Sequence, residues 1–109
     1  MSSTKETVDY ILDQLSDLED IHVKMMFGEY GIYQFDKMFG MVCDNQLFIK
    51  PTVAGRAFWG EAEEGCPYPG SKPWFYVSEE RWDDEQWLQE LVLVTLPEVL
   101  PVKKKTKKA

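Results

Sequence analysis

Histidine occurs once in the 109 residues, as His22, and cysteine twice, as Cys43 and Cys66. A single imidazole with no cysteine or carboxylate at ligand spacing does not make a metal site. Two cysteines do not make a disulfide framework, and without a secretory signal so sparse a pair fits a reducing compartment. The opening Met-Ser-Ser-Thr-Lys-Glu-Thr lacks the apolar segment of a signal peptide. No apolar run approaches the roughly 20 residues that a bilayer span needs. The expectation is a soluble, cytoplasmic protein. The phosphate-loop pattern Gly-x-x-x-x-Gly-Lys is missing as well, so Gly28, Gly31 and Gly40 are read as turn and bulge residues.

Basic residues are scarce in the body. Five of the twelve follow Pro101, as Lys103, Lys104, Lys105, Lys107 and Lys108, whereas all nineteen acids precede them. Seven cations against nineteen acids repel a phosphate backbone, while the tail attracts one. Nucleic-acid association through that tail is therefore an alternative function to weigh. Residues 1–100 are expected to form one domain and 101–109 a disordered, solvated Lys-rich tail.

Aromatic residues are plentiful: six Phe, five Tyr and four Trp. Large rings bury much area per residue, so a short chain can still build a core. The stretch from Met25 to Lys50 holds three apolar runs separated by breaks containing Gly, Asp and Asn, the pattern of consecutive antiparallel strands. Strands are predicted over His22–Phe27, Tyr30–Phe35, Met38–Cys43 and Gln46–Lys50, with turns at Gly28-Glu29, Asp36-Lys37 and Asp44-Asn45. Met38–Cys43 is apolar on both faces, which predicts a central strand covered on both sides or by an oligomer partner.

Helical periodicity brackets these strands. Val8, Ile11, Leu12, Leu15 and Leu18 form one stripe of a helix predicted from Thr4 to about Glu19, with Thr4 as its cap. A short helix is predicted from Val53 to Gly60, then a loop over Glu61–Lys72. Pro73–Val77 reads as a strand at or near an edge, because its proline cannot donate to a ladder. Ser78–Trp82 reads as a turn or one helical turn. The last helix runs from Asp84 to about Leu96, with Asp83 as cap and Gln86 closing a capping box. Trp87, Leu88, Leu91, Val92 and Thr95 share one of its faces, and Pro97 stops it. The result is a two-layer α+β domain. Its antiparallel sheet is a four-strand meander plus a later strand, with helices at both ends and a short one between.

No catalytic constellation stands out. His22 reads as an ordinary strand-start residue. Cys66, between Gly65 and Pro67, is expected to be exposed, but nothing nearby would lower its pKa. A small enzyme or thiol protein using Cys66 or His22 is thus the weakest of three readings, and no cofactor or metal is expected. Met25, Met26, Met38 and Met41 are adaptable packing residues that also suit partner surfaces. Trp59, Trp74, Phe75, Tyr76, Trp82 and Trp87 exceed what so small a domain usually hides, which points to an aromatic interface.

Met26-Phe27-Gly28-Glu29-Tyr30-Gly31-Ile32-Tyr33, then Met38-Phe39-Gly40-Met41-Val42 and Asn45-Gln46-Leu47-Phe48-Ile49-Lys50, resemble the N-terminal domain of TfoX/Sxy proteins. Trp74-Phe75-Tyr76-Val77-Ser78 and Asp83–Leu96 resemble its closing strand and helix. The likeness runs from Thr4 to about Leu96, with Glu29 where the family has the second glycine of a Gly-Gly pair. It implies a secretion-chaperone-like or YjbR-like fold. It also implies a non-enzymatic regulator of natural competence that acts with the cyclic-AMP receptor protein, here in stand-alone form. Where the longer regulators carry a C-terminal helical domain, the expectation for this chain is the Lys103–Ala109 tail in its place. The function expected is a regulatory protein-binding module. Its partner would be met through Met26, Tyr30, Tyr33, Met38 and Phe39, with Trp74 and Tyr76 as a second group. A homodimer is a further expectation, since a sheet in so short a chain leaves an edge or face to protect.

Overall fold

Short apolar strands within residues 21–49 build most of the sheet, and the computed structural model describes residues 5–26 and 29–101, with Met26 given by its backbone alone. Helix α1 (Lys5–Gln14) leads into β1 (Ile21–Met26), β2 (Glu29–Gln34), β3 (Lys37–Cys43) and β4 (Gln46–Ile49). Then come α2 (Val53–Trp59), β5 (Glu64–Gly65), β6 (Trp74–Val77), α3 (Glu79–Trp82) and α4 (Glu85–Thr95), closed by a 3₁₀ turn over Leu96–Glu98. The six strands are antiparallel, in the order β1-β2-β3-β4-β6-β5. The predicted meander is present, and β6 lies one strand from the edge.

Turn chemistry fixes the registers. Asp44 and Asn45 both have positive φ, 54° and 59°. This is the mirror-image two-residue turn whose twist matches a hairpin, and it pairs Cys43 with Gln46. Between β2 and β3 the register shifts: Ile32 faces Gly40 while Tyr33 faces Met38, so Phe39 is the extra residue of a bulge. The bulge puts Phe39 and Gly40 on the same side of the sheet. Gly40 must be glycine there, since a Cβ would lie 2.9 Å from the Phe48 carbonyl oxygen and 3.1 Å from Ile49 Cδ1.

That side is the core. Val8, Ile11 and Leu15 from the N-terminal segment and Leu88, Leu91 and Val92 from α4 pack on Ile32, Phe39, Val42, Leu47, Ile49, Phe75 and Val77. Burying large apolar side chains of this kind stabilises by about 1.5–3 kcal/mol each. Thr52 caps α2 by accepting from Gly55 N–H at 2.9 Å. The Glu98 carboxylate, from beyond α4, accepts from Val53 N–H at 3.0 Å and Ala54 N–H at 2.8 Å. The adjacent cap and one distant carboxylate thus satisfy three of the orphan donors that every helix start exposes.

Four expectations are corrected. Helix α1 ends at Gln14 rather than near Glu19; Asp17, Glu19 and Asp20 oppose the negative end of its dipole. Leu15 is nevertheless buried, in the turn that follows. Glu29 belongs to β2 rather than to the preceding turn; residues 27 and 28, like the Thr4 cap, lie outside the described residues. The cap of α4 is Asp84, which accepts from Trp87 N–H at 3.2 Å. Its third helical residue is then Trp87, so Gln86 cannot close a capping box, and Asp83 instead accepts from the Tyr10 hydroxyl. Finally, the predicted loop over Glu61–Lys72 contains β5, a two-residue strand held by its neighbour rather than by any periodicity of its own.

Candidate interaction face

Strand geometry sends alternate side chains to opposite faces. With the core on one side, the other receives His22 and Lys24 from β1, Tyr33 from β2, and Met38, Met41 and Cys43 from β3. Phe48 from β4 and Trp74 and Tyr76 from β6 complete it. The registers line up Lys24, Gly31, Met41, Phe48 and Tyr76 as one row across five strands. Met41, Cys43 and Phe48 are buried at its centre, with Met38, Trp74 and Tyr76 partly buried around them. Among the described residues no helix contributes to this second cluster.

Rings and cations mark its two ends. His22 stacks on Tyr33, with centroids 5.5 Å apart and planes within 7°. Lys24 Nζ lies 5.1 Å from the same ring, and Lys50 Nζ lies 5.9 Å from Trp74. Phe48 and Tyr76 meet at 5.7 Å. Gly65 of β5 passes so close to Phe48 that a Cβ there would lie 3.2 Å from its ring.

The structure divides the residues proposed for partner binding. Tyr33, Met38, Trp74 and Tyr76 share this face. Tyr30 does not: it packs against the helix-side core. Phe39 is fully buried in that core, because the bulge turns it inward, so its assignment to a partner surface is corrected. The Met26 side chain and Lys103, Lys104, Lys105, Lys107 and Lys108 lie outside the described residues. Of the residues that anchor the face, Met41 carries a partner-surface signal in the sequence while Cys43 and Phe48 carry none; cross-strand register is what unites the three.

The surplus rings have a second explanation. Trp82 is buried and donates from Nε1 to the Val77 carbonyl at 3.0 Å. Trp59 and Trp87 meet edge-on at 5.1 Å, and the Arg81 guanidinium sits 5.2 and 4.9 Å from the two rings. These three tryptophans therefore serve the helical layer, leaving Trp74 on the other face.

Nucleophile chemistry finds little support here. Cys43 is buried, and burial first, then Glu29 and Asp44, pushes its thiol up to about 11. A thiol so displaced is a poor nucleophile. His22 faces Tyr33 and the Asp20 carboxylate, 3.7 Å from Nδ1. Among the described residues there is no group of three His, Cys, Asp or Glu able to hold a metal ion, and no helix is long and apolar enough to cross a membrane. Cys66 is exposed, as expected.

The element order, the bulged hairpin and the helix-free face can now be set beside known proteins. The TfoX N-terminal domain model matches residues 13–98. The chain belongs to the TfoX N-terminal domain family. It is also similar to a Spirochaeta aurantia protein described as an uncharacterized 12.7 kDa protein in the trpE 5′ region. The two are 40% identical over 101 residues, which is 90% of this chain and 87% of that one. This TfoX N-terminal domain thus has its α+β architecture and its family in agreement with the likeness carried by Met26–Tyr33 and Met38–Lys50.

Proposed function

We propose that this TfoX N-terminal domain is a non-enzymatic regulatory module that binds a protein partner through the helix-free face of its sheet. One observation carries the reading. The face groups half-buried Met38, Trp74 and Tyr76 around a small apolar centre, with Tyr33 buried against His22 and Lys24 at its β1 end, although the helices bury their apolar stripes on the opposite side. Aromatic and methionine side chains around a packed centre are the composition of a contact surface. The partner class that the family resemblance implies is a transcription regulator of the cyclic-AMP receptor type.

Affinity capture from the native cell tests this. Wild-type protein is compared with Tyr33→Ala and with Trp74→Ala/Tyr76→Ala, each first shown to be folded by circular dichroism. The expected result is loss of a specific retained protein in both variants. Retention of every partner by both would overturn the reading.

A further inference from the structure

The sheet's two edges differ. One is β5, only two residues long, which is a common way of blunting an edge. The other is β1, six residues long, with nothing beyond it among the described residues. The backbone polarity of β1 follows from its register. Phe35 N–H donates to the Asp20 carbonyl at 3.3 Å, in step with the pairing of Ile21 with Gln34. In an antiparallel ladder hydrogen-bonded pairs alternate with non-bonded ones. The even-numbered residues therefore turn their N–H and C=O groups toward β2, and Ile21, Val23 and Met25 direct theirs outward.

The side chains along this edge have a definite chemistry. Met25 is 69% exposed, on the side of the sheet where Val23 reaches the core. Lys24 lies on the opposite side, over Tyr33, and makes no ion pair among the described residues of a chain with nineteen acids. We infer that β1 accepts an added strand from a protein partner, and that this strand alternates acidic residues, set against Lys24, with apolar ones, set against Val23 and Met25. The inference rests on the reading that the domain binds a protein, and it names the partner's segment. Main-chain bonds supply affinity in such strand addition, and alternate side chains supply specificity. A second copy of this chain fits less well. Of the two symmetric antiparallel registers that align most of β1, one sets Lys24 against Lys24 of the other copy, where like charges directly opposite are destabilising, and the other sets it against His22; neither gives Lys24 an acidic partner.

The test selects a random 12-residue peptide library against the full chain, then measures the enriched peptides by titration and by amide exchange of the protein. Enriched sequences should alternate acidic and apolar residues and protect the amides of Ile21, Val23 and Met25. Met25→Pro removes an outward donor and no bond to β2, so it should weaken binding by about tenfold. Lys24→Glu should weaken it several-fold and remove its salt dependence. Because Met25 is exposed and Lys24 is on the surface, both variants should keep the wild-type unfolding curve. If Met25→Pro proves misfolded, the amide-exchange pattern and Lys24→Glu decide. Peptides that bind but ignore both variants would overturn the strand-addition inference and leave the protein-binding reading standing. Enrichment of basic or uncharged peptides would do the same. Concentration-dependent dimerisation abolished by Met25→Pro would make a second copy the occupant and overturn the acidic-strand assignment. No peptide binding at the edge or at Trp74 and Tyr76 would count against both.

Discussion

The two faces of this sheet are built from the same five strands yet are completed differently. On one, helices α1 and α4 press Val8, Ile11, Leu88, Leu91 and Val92 onto Phe39, Val42 and Phe75, and almost every residue is sealed. On the other, Met41, Cys43 and Phe48 are shielded only by their strand neighbours and by half-buried Met38, Trp74 and Tyr76. Apolar residues on a strand thus do not say which surface is core. The helices decide that, and the bulge at Phe39 decides which side of β3 they receive. The covered face holds the molecule together; the other has apolar character beyond what folding requires, which is the physical ground for assigning it to a partner.

The sharpest test of this division is a pair of truncations. Phe39→Ala leaves a cavity in the sealed layer and should cost about 3–5 kcal/mol, whereas Tyr76→Ala on the other face should cost about 1 kcal/mol, both read by denaturant unfolding. Equal costs would erase the distinction. Next comes Gly55→Ala. Its Cβ would lie 2.8 Å from Thr52 Oγ1 and 2.9 Å from the Phe75 ring, so α2 should be forced off the core at a cost of about 1–3 kcal/mol. A smaller effect of opposite sign is expected at Thr95, whose hydroxyl is buried under α2 with no hydrogen-bond partner. Thr95→Val keeps the shape, removes the unsatisfied group and should stabilise by about 1 kcal/mol.

The mildest prediction concerns pH and belongs to the helix-free face. The Cys43 thiol has its pKa raised from 9.0 to about 11 by burial and by Glu29 and Asp44. The folded chain therefore keeps this proton at pH values where the unfolded chain has lost it. Its contribution to stability is complete below pH 9.0, declines as pH rises, and is gone above about 11. Tyr10, raised chiefly by its hydrogen bond to Asp83, acts in the same direction at higher pH. Unfolding midpoints should fall across that interval in wild type and less steeply in Cys43→Ala.

Much of the architecture was legible in the residues. The four short strand runs between His22 and Lys50, the Asp44-Asn45 turn and the short helix before Gly60 all carry local signals, and the structure has each of them. What was not legible depends on neighbours distant in sequence. Two-residue β5 exists only because β6 runs beside it. Asp83 reads as the cap from its spacing to Gln86, yet Tyr10, distant in sequence, donates to it and Asp84 caps the helix. Phe39 and Tyr33 look like companions in the Met26–Phe39 stretch, but a single inserted residue sends them to opposite faces. The site was therefore legible as a composition, aromatic and Met-rich, but not as a surface, because membership of a face depends on register.

Recognition rather than folding is the role proposed for the helix-free face. Its most direct test is affinity capture with Trp74→Ala/Tyr76→Ala, using protein whose unfolding transition stays close to wild type. This variant should remain folded and lose a partner that the wild type retains. Retention of that partner at wild-type level by a folded variant would contradict it.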